Sequence, residues 1–295
     1  MPGMEKLERT KRIAAIHDIS GFGKCSLTVA LPVISATGVE CACIPTALLS
    51  THTGEFTGWT RRDLTDQMLP IARHWHSLGL RFDGVYSGYL ASCEQERVLE
   101  EVYGLIADED TLIVCDPAMA DNGSYYAGFD DAMRDTFRRL CSRADVITPN
   151  ITEAALLAGE DYRPAPHGRG YIERIFEGLA ALGPRVIAVT GVHPGGGEIG
   201  TVVLERESGR RYSAMRPERG GVFYGTGDIF ASAFAALLTR GAPVSAALEA
   251  ASSLVADSIE RTYLDGTPRR DGVAFELSLP AYMARVREVF GEHGA

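Results

Sequence analysis

Gly221-Val222-Phe223-Tyr224-Gly225-Thr226-Gly227-Asp228-Ile229-Phe230-Ala231-Ser232-Ala233-Phe234-Ala235-Ala236-Leu237-Leu238 is the stretch from which the rest of the chain is read. A turn poor in side chains, Gly225-Thr226-Gly227-Asp228, feeds an alanine-rich apolar segment with helix-forming composition and no proline. The glycines therefore stand at a helix N-terminus. Free amide N–H groups and the positive end of the helix dipole meet there, which suits a phosphate or a transition state carrying phosphate charge. Asp228 opens the helix, and its carboxylate has two readings: it caps the first turn, or it takes a proton from a hydroxyl approaching the same anion hole.

Outward from this turn, short runs rich in Ile, Val and Cys alternate with longer helical segments. The runs are 12–17, 40–45, 83–87, 111–115, 145–148 and 185–190; helices are expected over 24–36, 63–78, 93–107, 130–141 and 171–182. Repeated strand-helix alternation implies a mostly parallel sheet covered on both faces. After residue 190 the pattern changes to a hairpin, 199–205 with 211–215, followed by helices over 228–239, 244–262 and 280–290. A helix also starts at Asn150-Ile151-Thr152-Glu153, where Asn150 reads as the cap and Glu153 completes a capping box. No proline- or serine-rich linker and no repeat divides the chain, so a single α/β domain is expected over 12–295, behind a flexible N-terminal segment, 1–11.

The charge balance excludes several classes of function. A net charge of -10 with no Lys/Arg block leaves no footprint for nucleic acid or an anionic membrane. The first eleven residues lack an apolar core, and no run approaches the roughly 20 apolar residues of a spanning helix. A soluble cytoplasmic protein is expected. Cys25, Cys41, Cys43, Cys93, Cys115 and Cys141 are scattered through apolar stretches, which reads as buried free thiols rather than a disulfide framework or a metal site. His74 and His76 read as surface residues.

In a parallel sheet, ligands bind outside the carboxyl ends of the strands, so the residues just after each run are the candidates. After the first comes His17-Asp18-Ile19-Ser20-Gly21-Phe22-Gly23-Lys24-Cys25-Ser26. It fails as a P-loop, with Asp18 at the first glycine position and Cys25 at the hydroxyl position. After the second lies the Ser/Thr-rich loop Thr46 to Gly54, which ordinary turn chemistry also explains. Ser87-Gly88-Tyr89 ends the third, where Gly88 allows close backbone approach and Tyr89 offers a face to a flat heterocycle. Asp116-Pro117 stops the next strand and turns a carboxylate towards the site, with Asp121 following beside Gly123, Tyr125 and Tyr126. Thr190-Gly191 ends the last.

Gly225-Thr226-Gly227-Asp228 ahead of a small-residue helix, with Asn150-x-x-Glu153, resembles the signature of the ribokinase superfamily. Ser87-Gly88-Tyr89, Asp116-Pro117 and Ser50-Thr51-His52-Thr53 narrow the resemblance to its vitamin B6 kinases. The Asp18-x-Ser20-Gly21 turn is closer to the hydroxymethylpyrimidine kinases. The resemblance implies a ribokinase-like three-layer α/β/α sandwich and an ATP-dependent kinase of a hydroxymethyl group on pyridoxal, pyridoxine or pyridoxamine. Asp228 then serves as the base, and Gly225, Thr226 and Gly227 form the anion hole. Asp18, Thr53 and Tyr89 join Asp228 at the substrate ring. Asp116, Asn150, Glu153, Thr190 and Thr226 fall to ATP, while Asp116, Asp121 and Glu153 fall to Mg²⁺. Members of the family commonly form homodimers, and a monovalent cation is a further cofactor to test for. Three competitors stay open: a hydroxymethylpyrimidine kinase, a ribokinase-like sugar kinase, and a catalytically silent B6-binding protein.

Overall fold

Strand β1 (Arg12–Ser20) sets the middle of the sheet, because Ile13, Ala14, Ala15 and Ile16 are each at most 1% exposed. A strand apolar on both faces is stable only where helices cover both. In the computed structural model, which describes residues 9–291, the elements that follow supply those covers. They are α1 (Leu27–Ala36), β2 (Glu40–Leu49), β3 (Arg61–Asp63), α2 (Thr65–Ser77), β4 (Gly84–Ser87), α3 (Gln95–Ile106) and β5 (Leu112–Cys115). A small hairpin, β6 (Ala120–Asp121) and β7 (Ser124–Tyr125), precedes α4 (Asp131–Cys141), β8 (Val146–Ile147), α5 (Ile151–Ala158) and α6 (Arg169–Ala180). The chain ends with β9 (Val186–Gly195), β10 (Glu198–Glu205), β11 (Arg210–Pro217), α7 (Thr226–Thr239), α8 (Val244–Asp265) and α9 (Leu279–Phe290).

The main sheet runs β11-β10-β9-β8-β5-β4-β1-β2-β3. Its core from β2 to β9 is parallel, and β3, β10 and β11 add antiparallel edges. Alternation along β1 sends Ile13 and Ala15 to one face, against α1, α7, α8 and α9, and Ala14 and Ile16 to the other, against α2 to α6. This is the expected three-layer sandwich. Each expected strand and helix is present within a few residues, and the 199–205 hairpin is β10 paired with β11. The sequence pattern misses β3 and the β6–β7 hairpin, whose three or two residues are too short to show a period. It also stops β9 at Thr190, whereas that strand continues to Gly195 and turns into β10 at Gly196-Gly197, so these glycines form a hairpin turn.

Two expectations change. Cys115 and Cys141 are buried, but Cys25, Cys41 and Cys43 are only partly so and Cys93, in the turn ahead of α3, is exposed. Residues 1–8 of the expected flexible segment lie outside the described residues, while Arg9 and Lys11 both reach Asp83 ahead of β4. Among the described residues, no helix is long and apolar enough to cross a membrane.

Asp83 fastens the start of β1. Burial alone would raise its pKa, but the Arg12 backbone N–H at 2.8 Å, the Arg9 guanidinium and the Lys11 ammonium outweigh that and hold it below the ordinary carboxylate value. A depressed folded pKa stabilises the fold fully above the unfolded value, near 3.8, and that contribution is lost as pH falls through the folded value. We expect Asp83→Asn to lower Tm at neutral pH. Its Tm should then fall less than that of the parent between about pH 5 and pH 3, and thermal melts across that range check the difference.

Candidate active site

The carboxyl ends of β1, β4, β5, β8 and β9 open on one edge of the sheet, and the first turn of α7 arrives at the same edge. Gly225 is the N-cap of α7, with φ at 82°, and a Cβ there would stand 2.1 Å from the Lys24 carbonyl oxygen. Only glycine fits both conditions. The helix begins at Thr226, two residues before the expected start, so Asp228 is the third helical residue rather than the first. No side chain caps this helix, which removes the capping reading of Asp228. Its carboxylate instead lies 3.4 Å from His17 Nε2 and near enough to the Ser26 backbone N–H for that group to lower its pKa, with the side chain 16% exposed.

The loop that supplies the Ser26 amide is strained to do so. Lys24 and Ser26, at φ 52° and 56°, both occupy the left-handed region that side chains avoid. Gly225 presses on Lys24, and Gly272, at φ 85°, packs so that a Cβ would lie 2.4 Å from the Gly23 oxygen. Strain of this kind, about 1–3 kcal/mol per residue, persists where neighbours over-determine the backbone.

Carboxylates crowd the same edge. Asp116 accepts from Thr148 Oγ1 at 3.0 Å, and burial together with the nearby Asp228 charge raises its pKa to about 7. Asp228 is also raised, by burial, against the opposing pull of His17 and the Ser26 amide. Glu153 Oε1 takes the N–H of Met119 at 3.0 Å, and Oε2 takes that of Asn150 at 2.9 Å. Burial, then the Asp116 charge, still raises the Glu153 pKa well above its ordinary value. Asn150 and Glu153 form the capping box of α5, and Asn150 Nδ2 also donates to the Ala120 oxygen at 2.7 Å. The pair therefore pins the β6–β7 hairpin to the site.

This wall fits a divalent cation. Asp116, Asp121 and Glu153 are hard oxygen donors on one cavity, and a cation would relieve the repulsion that raises Asp116. Glu153 has its oxygens on backbone amides, so it would reach such an ion only through water. An oxygen of Asp116, an oxygen of Asp228 and His17 Nε2 also lie within 4.8 Å of one another.

The cavity holds about 780 Å³ and is lined by every residue assigned from sequence to catalysis, ATP or metal: Asp116, Asp121, Asn150, Glu153, Thr190, Gly225, Thr226, Gly227 and Asp228. The ring residues sit differently. Asp18 is buried with its Oδ2 on Ser20 Oγ at 2.9 Å, and Tyr89 stacks on Phe129 at 5.5 Å; neither they nor the half-buried Thr53 line this cavity. Gly88 has a reason other than the one read from sequence: a Cβ there would fall 1.7 Å from His17 Nε2, so its absence makes room for an imidazole rather than for a heterocycle. Sequence reasoning missed His17, Thr148 and Tyr126, the last a phenol on the cavity wall near Glu153, Asp121, Asp228 and Asp116. The strand-end rule covers His17 and Thr148.

The chain matches the phosphomethylpyrimidine kinase family over residues 30–268. It belongs to that family. Membership makes it an ATP-dependent kinase. The pyridoxal kinase of Granulibacter bethesdensis is 28% identical over 85% of this chain and 89% of its own. A crystal structure described as a putative phosphomethylpyrimidine kinase of Bacteroides thetaiotaomicron superposes with a TM-score of 0.88 at 34% identity, covering 95% of this chain and 96% of that one. Pyridoxal kinase from Lactobacillus plantarum superposes with a TM-score of 0.84 at 32% identity, over 95% of this chain and 99% of that one. The fold is thus the ribokinase-like one that the sequence resembles.

The two glycines of the family turn should behave differently. Gly225→Ala meets both a positive φ and a backbone oxygen, and we expect a loss of at least about 2 kcal/mol in stability. Gly227→Ala finds nothing within 4 Å of its Cβ and should stay within about 1 kcal/mol of the parent. Urea unfolding of both variants measures the contrast.

Proposed function

We propose that this kinase transfers the γ-phosphoryl group of ATP to the hydroxymethyl group of pyridoxal, pyridoxine or pyridoxamine. The observation that carries the reading is the state of Asp228: it caps nothing, reaches the cavity, and stands in the turn whose bare amides face the same space. Relatives named pyridoxal kinase, and the Bacteroides thetaiotaomicron structure in a form described as crystallised with pyridoxal, support the substrate class.

In this mechanism Asp228 accepts the hydroxyl proton as the oxygen attacks the γ-phosphorus in line. The amides of Gly225, Thr226 and Gly227, at the positive end of α7, hold the charge that spreads over the equatorial oxygens. Thr190, Asn150 and Thr226 border the triphosphate, while Asp18, Thr53 and Tyr89, which lie outside the cavity wall, are assigned to the ring by the family resemblance alone. Mg²⁺, when bound, would supply positive charge to the phosphates, held by Asp116 and Asp121 and through water by Glu153. Burial of Asp228 makes it a stronger base than a free carboxylate, since its pKa is raised.

A second reading, phosphorylation of a hydroxymethylpyrimidine, is favoured by the family matched over 30–268 and by the Asp18-Ile19-Ser20-Gly21 turn. The same base and anion hole would serve both rings. Steady-state turnover with each B6 vitamer and with hydroxymethylpyrimidine decides between them, and a clear excess of kcat/KM on the pyrimidine would overturn the first reading. Asp228→Asn should lower kcat by at least about 10²-fold while nucleotide affinity, measured by calorimetry, stays within about twofold.

A further inference from the structure

His17 is 1% exposed, and among the described residues its Nε2 is one of few buried polar side-chain atoms without a hydrogen-bond partner. That nitrogen points at Asp228, 3.4 Å from Oδ1, a distance longer than a formed hydrogen bond. Its proton is fixed by what the other nitrogen meets. The Tyr89 backbone N–H donates into Nδ1 at 3.1 Å, which makes Nδ1 an acceptor and places the proton of the neutral ring on Nε2. Asp18 Oδ1 lies 3.4 Å from Nδ1 and with Asp228 and Asp116 favours the imidazolium, against burial. In that form Nδ1 loses the Tyr89 N–H and donates to Asp18 instead, while Nε2 keeps its proton. In either state the imidazole is a donor aimed at Asp228, not a metal ligand. Gly88 supports the same conclusion from the backbone, because any side chain at 88 would displace the ring.

We propose that His17 is the positioning residue of the catalytic base. Its Nε2–H holds Oδ1 of Asp228 from one side while the Ser26 amide anchors the carboxylate from the strained loop, so the remaining acceptor capacity is aimed at the substrate hydroxyl. The contact tightens when substrate is bound, as catalytic hydrogen bonds of unliganded sites commonly do. The proposal rests on the kinase reading above.

Paired variants test it. Glutamine carries a side-chain amide to about the reach of Nε2, whereas asparagine stops near Nδ1. We expect His17→Asn to lower kcat on the best B6 vitamer by about 10- to 100-fold with the KM for ATP unchanged within about twofold, and His17→Gln to recover most of the loss. In an Asp228→Asn background, adding His17→Asn should cost less than about twofold more, because the group it positions is already gone. Equal kcat in parent and His17→Asn, or independent losses that multiply in the double variant, would sink the proposal. So would a Gln variant no better than Asn when both melt within a few degrees of the parent. If His17→Asn does not fold, the loss of kcat in His17→Ala, alone and beside Asp228→Asn, carries the same decision. A parent enzyme inactive on every vitamer would instead remove the kinase reading beneath it.

Discussion

Too many carboxylates share too little positive charge at the carboxyl edge of this sheet. Asp116 and Asp228 bring oxygens within 4.8 Å of each other in a buried setting. At an effective dielectric of about 20, two full charges at that range repel by on the order of 3 kcal/mol, comparable with about two pKa units. The arrangement is tolerable only with a proton, an imidazole or a cation between them. Each of these leaves a mark: Asp116 is lifted to about 7, His17 is wedged beside Asp228, and the acids sit on the wall of a cavity large enough for a nucleotide and its ion. A divalent cation entering with a phosphate would offset that repulsion, which the anionic phosphate alone would only increase.

Holding those acids still requires backbone where side chains would intrude. Gly23, Gly225 and Gly272 are so close to their neighbours that a Cβ on any of them would overlap His52, the Lys24 oxygen or the Gly23 oxygen. Four segments from distant parts of the chain, around Gly23, His52, Gly225 and Gly272, are thus pressed together. Glu153 does the equivalent work opposite, spreading its carboxylate over the amides of Met119, Ala120 and Asn150. One acid is fixed by a strained loop and the other by a helix cap.

The residues read as the nucleotide half meet on one cavity wall because their positions follow from topology. Asp116 and Asn150 sit just beyond β5 and β8, Thr190 lies within β9 where it bridges to Asn150, and Asp228 sits at a helix start marked by two glycines. The Asn150-x-x-Glu153 spacing carried two meanings at once, and the capping box is the one visible in the hydrogen bonds. His17 escaped for a definite reason. It stands at the expected end of the first run, within the candidate segment, but nothing in the spacing says that its ring turns towards Asp228, far along the chain. Gly88 misled in the complementary way, since a glycine signals close approach without saying what approaches. The ring half was least legible. Asp18 and Tyr89 are spent on contacts with Ser20 and Phe129 that no spacing in the sequence announces.

Those two halves are joined through a single peptide. The N–H of Tyr89 fixes the imidazole that faces Asp228, while the side chain of the same residue stacks on Phe129, in the segment between the β6–β7 hairpin and α4. A displacement of that segment would therefore bear on Tyr89, and any shift of the Tyr89 backbone would change the hydrogen bond that orients His17. Tyr126, three residues before Phe129 and tilted against it at 6.4 Å, places its phenol among Glu153, Asp121, Asp228 and Asp116. The seating of that segment and the aim of the imidazole at Asp228 are then linked, because Tyr89 and Tyr126 both pack on Phe129.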